Sequence, residues 1–144
     1  MKILFICKSN FGRSQIAEAL FNHISNKHVA ISAGIETGRV TGHKLKEFPE
    51  HENLFVCMDE IGFELRNNIA KLLNTEMLNG VDIVISMINP ELLPKLINKQ
   101  YKIIYWDIKD MCGESLAIYR NTRDQIQKNV QNLVKEIEIS KNDS

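Results

Sequence analysis

KILFICKSNFGRSQIAEALF, residues 2–21, is the stretch that decides the fold. After Lys2 its opening is apolar, rich in Ile and Phe, and of the length of a buried strand. Ser9, Asn10 and Gly12 break the run with turn formers. Ser14 then offers a helix N-cap, and Ile16, Leu20 and Ile24 follow at helical spacing with Ala17 and Phe21 beside them. The reading is strand, tight loop and helix in immediate succession.

Working outward, HVAISAG (28–34) predicts a second strand ending at Gly34, VDIVISM (81–87) a third, and KIIYWDI (102–108) a fourth. LFVCM at 54–58 fits a strand or a helix equally well. A short helix containing Leu92, Leu93 and Leu96 is expected after Asn89 and Pro90, with Pro94 inside it. The strongest helical pattern spans 115–138, where Tyr119, Ile126, Val130, Leu133, Val134 and Ile137 form one apolar stripe. The tail, 139–144, is expected to fray. Four strands separated by helical connections predict an α/β fold: a three-layer sandwich with a four-stranded parallel sheet and helices on both faces. At 144 residues, against a prior of about 150 per domain, a single domain over 1–144 is expected.

Composition narrows the function classes. Eighteen Lys plus Arg balance eighteen Asp plus Glu, with 44% hydrophobic residues, which describes a globular chain and gives nucleic-acid binding no global electrostatic support. Within residues 1–34, however, Lys2, Lys8, Arg13 and Lys27 face one acid, Glu18, so this end suits an anionic ligand. MKILFIC is interrupted by Lys8, Ser9 and Asn10 before it reaches signal-peptide length, and no apolar run approaches the roughly 20 residues of a membrane span. Cys7, Cys57 and Cys112 are far apart and lack metal-ligand spacing, which fits a reducing cytoplasm and predicts neither a metal nor another cofactor.

The chemistry concentrates in Cys7-Lys8-Ser9-Asn10-Phe11-Gly12-Arg13-Ser14, a Cys and an Arg separated by five residues at the carboxyl end of a strand. A five-residue loop entering a helix can wrap its amides around a tetrahedral oxyanion, with the helix N-terminus adding its positive end. Gly12 removes a side chain where a backbone amide must face the anion, and Arg13 can clamp two oxygens through its planar fork. Cys7 would sit beneath the centre for in-line attack, and the same positive surroundings favour its thiolate. Lys8 adds charge at the loop mouth and can steer an anion inward.

This pattern resembles the low-molecular-weight protein tyrosine phosphatase family, which includes thiol-dependent arsenate reductases. The likeness runs through ILFICKSNFGRSQIAEALFN, ISAG at 31–34, IVISM at 83–87 and YWDIKD at 105–110 before a long final helix. It implies Cys7 as nucleophile, Arg13 as phosphate clamp, Asn10 as the residue holding the loop in a strained shape, and Ser14 as hydrogen-bond donor to the thiolate. Lys8, Ser9, Phe11 and Gly12 complete the anion-binding loop. It also implies that 52–61 is helical. The family's general acid lies in an Asp-Pro pair shortly before the last helix, where this chain has Asp110 followed by Met111; Asp107, three residues earlier, competes for the role. The leaving oxygen needs a proton in the first step and water needs a base in the second, and one carboxyl can serve both.

The resemblance leaves two enzymatic branches. Gln15 stands where the tyrosine phosphatases usually have proline, and RSQ-x-AEA is closer to the arsenate reductases. Met-Cys-Gly at 111–113 lacks the aromatic wall that grips a phosphotyrosine ring, a part that Phe11 or Phe48 would have to play. The internal thiol relay of some reductases is absent, since 88–90 read Ile-Asn-Pro; arsenate reduction would need an external thiol or a glutaredoxin-like partner. Cys112 is either a structural cysteine or a thiol facing Cys7. Cys57 belongs to an apolar stretch, and His23, His28, His43 and His51 are assigned no chemistry. The leading expectation is a cytoplasmic phosphomonoesterase acting on a phosphorylated protein or a small aryl phosphate through a cysteinyl-phosphate intermediate. Arsenate reduction is the alternative, and a non-enzymatic oxyanion-binding regulatory module is a third.

Overall fold

The computed structural model describes residues 1–98 and 100–142. Four strands, β1 (Lys2–Cys7), β2 (Val29–Gly34), β3 (Ile83–Ser86) and β4 (Lys102–Tyr105), form one parallel sheet in the order β2-β1-β3-β4. The helices are α1 (Arg13–Ile24), α2 (Glu52–Asp59) and α3 (Leu116–Asn142). As the apolar run of 2–7 predicts, β1 lies at the centre of the sheet and is buried from Ile3 onward. Cys7 pairs with Gly34, and Ile6 with Ser86, which in turn pairs with Tyr105. The strands therefore end together. The chain leaves β1 for β2 on one side and reaches β3 on the other, so the loop after Cys7 opens at the point where strand order reverses, the usual place for a ligand in such sheets.

Alternation along the strands divides the core. Ile3, Phe5, Ile83 and Ile85 join the buried faces of α1, α2 and α3, including all six residues of the predicted α3 stripe. Leu4, Ile6 and Val84 point the other way, onto Ala33, Leu73, Leu78, Val81, Ile88 and Ile97. The three layers are thus unequal. The α-helices pack into the first core, whereas the second is covered by irregular chain and short three-ten turns at Glu76–Leu78 and Pro90–Leu92.

Four local expectations are settled by packing. The ambiguous 54–58 segment is α2, because Leu54, Phe55, Cys57 and Met58 lie buried together on one helical face. The short helix expected around Leu92, Leu93 and Leu96 is only the Pro90–Leu92 turn. Pro94 supplies no amide and its ring obstructs the preceding turn, so the helix does not propagate. Ser14 is not an N-cap: α1 begins at Arg13 after Gly12, with no side-chain cap, and Ser14 is buried within it. Finally, α3 continues through the tail to Asn142, since extending an established helix adds one hydrogen bond per residue; residues 143–144 lie outside the described residues. No helix among the described residues is long and apolar enough to cross a membrane.

Candidate active site

The loop between β1 and α1 is shaped by Asn10, the sole non-glycine among the described residues with positive φ, at 56°. Asparagine tolerates this left-handed conformation better than other side chains, and here the environment holds it there. Asn10 is fully buried. Its Nδ2 donates to Ser14 Oγ at 2.8 Å and to Ser32 Oγ at 2.9 Å. Its Oδ1 accepts from the Lys71 amide at 2.8 Å and from Gln15 Nε2 at 3.1 Å. Gln15, also fully buried, donates further to the carbonyls of Asn10 and Ile69 and accepts from Asn68 Nδ2. The residue that distinguishes RSQ from RSP thus braces the loop.

Close approach to β2 completes the shape. A Cβ on Gly34 would come within 2.7 Å of backbone atoms of Lys8, Ser9 and Asn10, so the loop rests directly on this glycine. Ile35 and Glu36 donate from behind to the carbonyls of Cys7 and Lys8. The amides of residues 9 to 12, by contrast, have no acceptor among the described residues. Amides left open in a loop of this kind are donors that an oxyanion could take.

At the base of the loop, Cys7 is 2% exposed and its Sγ lies 2.9 Å from Ser14 Oγ. Because Ser14 Oγ already accepts from Asn10, its own proton is free to point at the sulfur. Arg13 is buried, and its Nη1 donates to the carbonyls of Met87 at 2.7 Å and Ile108 at 2.9 Å, just beyond β3 and β4. This anchors the guanidinium while Nε and Nη2 have no acceptor among the described residues, the arrangement a bidentate oxyanion clamp needs. The Lys8 side chain is exposed, consistent with a steering position rather than a fixed contact.

Asp110, Ser9, Phe11 and Gly12 line one small cavity beside the loop. Asp110 Oδ1 accepts from the Cys112 amide at 3.0 Å, which orients the carboxyl. Asp107 instead accepts from the Tyr105 hydroxyl and does not line the cavity. Met111 occupies the expected proline position by burying its side chain over Gly12, where any Cβ would overlap its Cε. Side-chain packing therefore seats this loop where a ring would otherwise stiffen it.

Sequence reasoning missed His51. It lies in the turn Pro49–His51 ahead of α2, where its spacing from Cys7 and Asp110 carries no signal. The fold packs its ring against Phe11, with centroids 4.3 Å apart and the planes tilted by 43°, and puts Nδ1 3.4 Å from Cys112 Sγ. Phe48 meets Phe11 edge-on from behind, at 5.8 Å. Phe11, His51 and Phe48 thus form one aromatic cluster beside the loop. Burial lowers the His51 pKa, opposed by Glu50 and Asp110; burial first, then Asp110 and Glu50, raises that of the Cys112 thiol. Both shifts favour the neutral forms, and the direction of the hydrogen bond between them follows the imidazole tautomer. Cys57 is fully buried, and desolvation pushes its thiol up to about 11, as befits a core residue. Among the described residues no cluster of His, Cys, Asp and Glu has the makings of a metal site.

A family model described as low molecular weight phosphotyrosine protein phosphatase matches residues 2–143. The chain belongs to this family. Relatives of this phosphatase-family chain include a Staphylococcus epidermidis protein named arsenate reductase 1, 32% identical over 86% of this chain and 88% of its own length. A Synechocystis protein named glutaredoxin arsenate reductase is 27% identical, covering 94% of this chain and 98% of the relative. Among solved structures, an arsenate reductase in an oxidized state superposes with a TM-score of 0.76 at 28% identity, over 94% of this chain and 98% of that one. Phosphatase or arsenate reductase is the activity class that these relatives support, within one family of cysteine-dependent enzymes.

Proposed function

We propose that the chain is a phosphomonoester hydrolase of the protein tyrosine phosphatase type, acting through a cysteinyl-phosphate intermediate. The observation that carries this reading is the position of Cys7 Sγ beneath a loop curled by Asn10, with Ser14 Oγ 2.9 Å from the sulfur. The Cys7 thiolate attacks phosphorus while the amides of residues 9 to 12 and the Arg13 fork hold the equatorial oxygens, so that charge developing in the transition state meets donors already in place. Asp110, on the cavity side of the loop, protonates the departing oxygen. It then accepts a proton from the water that attacks the S–P bond, releasing phosphate and returning the thiolate. Phosphotyrosine in a protein and small aryl phosphates are the substrates.

The test is hydrolysis of an aryl phosphate across pH 5 to 8 by the unmodified enzyme and by Cys7→Ser. Turnover of about one per second or faster, abolished in the variant, is expected. Intact phosphate binding without turnover sinks the reading.

The named relatives favour one second reading, arsenate reduction. Cys7 would displace water from arsenate to form a thiol ester, and a thiol would attack the Cys7 sulfur. Arsenic then leaves as arsenite, reduced by two electrons, while two sulfurs are oxidised to a disulfide. With Ile88, Asn89 and Pro90 after β3, the second thiol comes from an external low-molecular-weight thiol or a glutaredoxin-like protein. Arsenite formed only when such a thiol is supplied distinguishes this reading from the first.

A further inference from the structure

The two edges of the sheet are finished differently. On β2 the alternate residues Ala30, Ser32 and Gly34 turn their backbone groups away from β1. The chain itself meets them there. Asn22 accepts from the Ala30 amide at 2.8 Å and donates to its carbonyl at 3.0 Å, Glu18 accepts from the backbone of Ser32, and Gly34 bonds to the Lys71 carbonyl and the Leu73 amide. On β4 the Trp106 amide donates to Ser86, so Lys102 and Ile104 face β3 in the same way, and Ile103 and Tyr105 face outward. The outward amides and carbonyls have no partner among the described residues, and the two side chains are 36% and 46% exposed. Proteins usually blunt such an edge with charge, proline or a covering segment. Beside this one runs an open groove of about 230 Å³ between β4 and α3. Ile104, Trp106 and Leu133 give it an apolar side, and Asn129, Asn132 and Glu136 a polar one.

We propose that β4 pairs antiparallel with β4 of a second copy of this chain, joining two four-stranded sheets edge to edge. The strand's own sequence selects this occupant. With Ile104 on the two-fold axis, Ile103 of each copy lies opposite Tyr105 of the other. Both residues present amide and carbonyl outward, so each such pair exchanges both of its backbone hydrogen bonds. The opposed side chains are apolar and cover one another. On the α3 side the same register sets Lys102 opposite Trp106 of the other copy, and its ammonium enters the groove beside the indole and the Glu136 carboxylate. Association stops at two, because the joined sheet ends on both sides in β2, whose edge the chain already covers. The two-fold also reverses strand direction. The loops after Cys7 therefore open at opposite ends of the dimer and neither is covered, so the inference stands apart from the reaction they support.

The experiment is sedimentation equilibrium of the full chain from about 1 to about 500 µM, a range that spans weak and moderate dimers. The mass is expected to rise from that of one chain to that of two and no further. Ile103→Pro removes an amide that bonds nothing within the single chain, so circular dichroism should stay unchanged while dimerisation weakens at least tenfold. Ile103→Lys puts a charge into the apolar pair, should act in the same direction, and decides the matter if the proline variant fails to fold. Lys102→Glu should weaken the dimer by facing Glu136, and adding Glu136→Lys should restore it. Leu92→Lys, at an exposed apolar residue away from this edge, should change nothing. A monomer at every concentration overturns the proposal and leaves the edge to a foreign extended segment. A dimer that both position-103 variants leave intact, growth beyond two copies, or a double variant no tighter than Lys102→Glu alone overturns it as well.

Discussion

Replacing Asn10 by alanine should show how the loop is held. The substitution removes the donations to Ser14 and Ser32 and leaves the Lys71 amide without its acceptor. Gln15 Nε2 keeps the carbonyls of Asn10 and Ile69. The stranded amide is the larger hydrogen-bonding loss, about 1–3 kcal/mol, since the two serine oxygens lose only a donor. Alanine at a φ of 56° adds about 1–2 kcal/mol, because its Cβ crowds the backbone there and it has no local bond in compensation. The total is about 3 kcal/mol, or roughly 6–12 °C in Tm for a chain of this size. Asn10→Gly isolates the second term, since glycine accepts positive φ freely, and should be more stable than Asn10→Ala by about 1 kcal/mol. Urea denaturation of all three proteins measures stability, and aryl phosphate turnover measures the site. Both variants should lose activity by more than their unfolded fractions explain, because Ser14 is no longer oriented toward Cys7. Equal stability of the alanine and glycine variants would refute the account of strain at this residue.

Other outcomes follow from the same geometry. Gly34→Ala should leave the sheet intact while displacing the loop, so phosphate affinity should fall at least tenfold; normal affinity in the folded variant would show that the loop does not depend on this approach. Asp110→Asn should slow aryl phosphate hydrolysis by about 10²–10⁴, whereas Asp107→Asn should change it by less than about threefold, and steady-state rates compare them directly. Glu60, held by Arg120 and Arg123, has its pKa lowered from 4.5 to about 2 by these hydrogen bonds. A depressed carboxyl pKa stabilises the fold above its unfolded value, and that contribution disappears as pH falls from about 4.5 toward 2; Glu60→Gln should therefore flatten the acid limb of the Tm profile in this window.

The central part of this fold is legible in sequence because one local pattern forces it. An apolar run of strand length, a loop with Asn and Gly, and a helical stripe leave little choice for residues 2–24, and β3 reads as a continuous apolar run because it is buried on both faces. What is not legible depends on contacts between distant residues. Ser14 has the chemistry of an N-cap, yet its hydroxyl is committed to Cys7 and Asn10 within the helix. The segment after Met87 carries three leucines, but Pro94 outweighs them. In the site, the C-x5-R spacing points to Cys7 and Arg13, whereas the anchoring of Arg13 by Met87 and Ile108 requires the ends of β3 and β4 to be in place. His51 is the extreme case, because only the fold brings the turn before α2 against Phe11 and Cys112.

The packing of Met111 over Gly12 has an evolutionary consequence. A chain that acquires a side chain at position 12 must swing the flexible tip of Met111 aside or shorten it. The loop that follows Cys7 and the loop that carries Asp110 lie about a hundred residues apart in sequence, yet at these two positions they share one packing contact. A substitution at one should change which side chains pack well at the other.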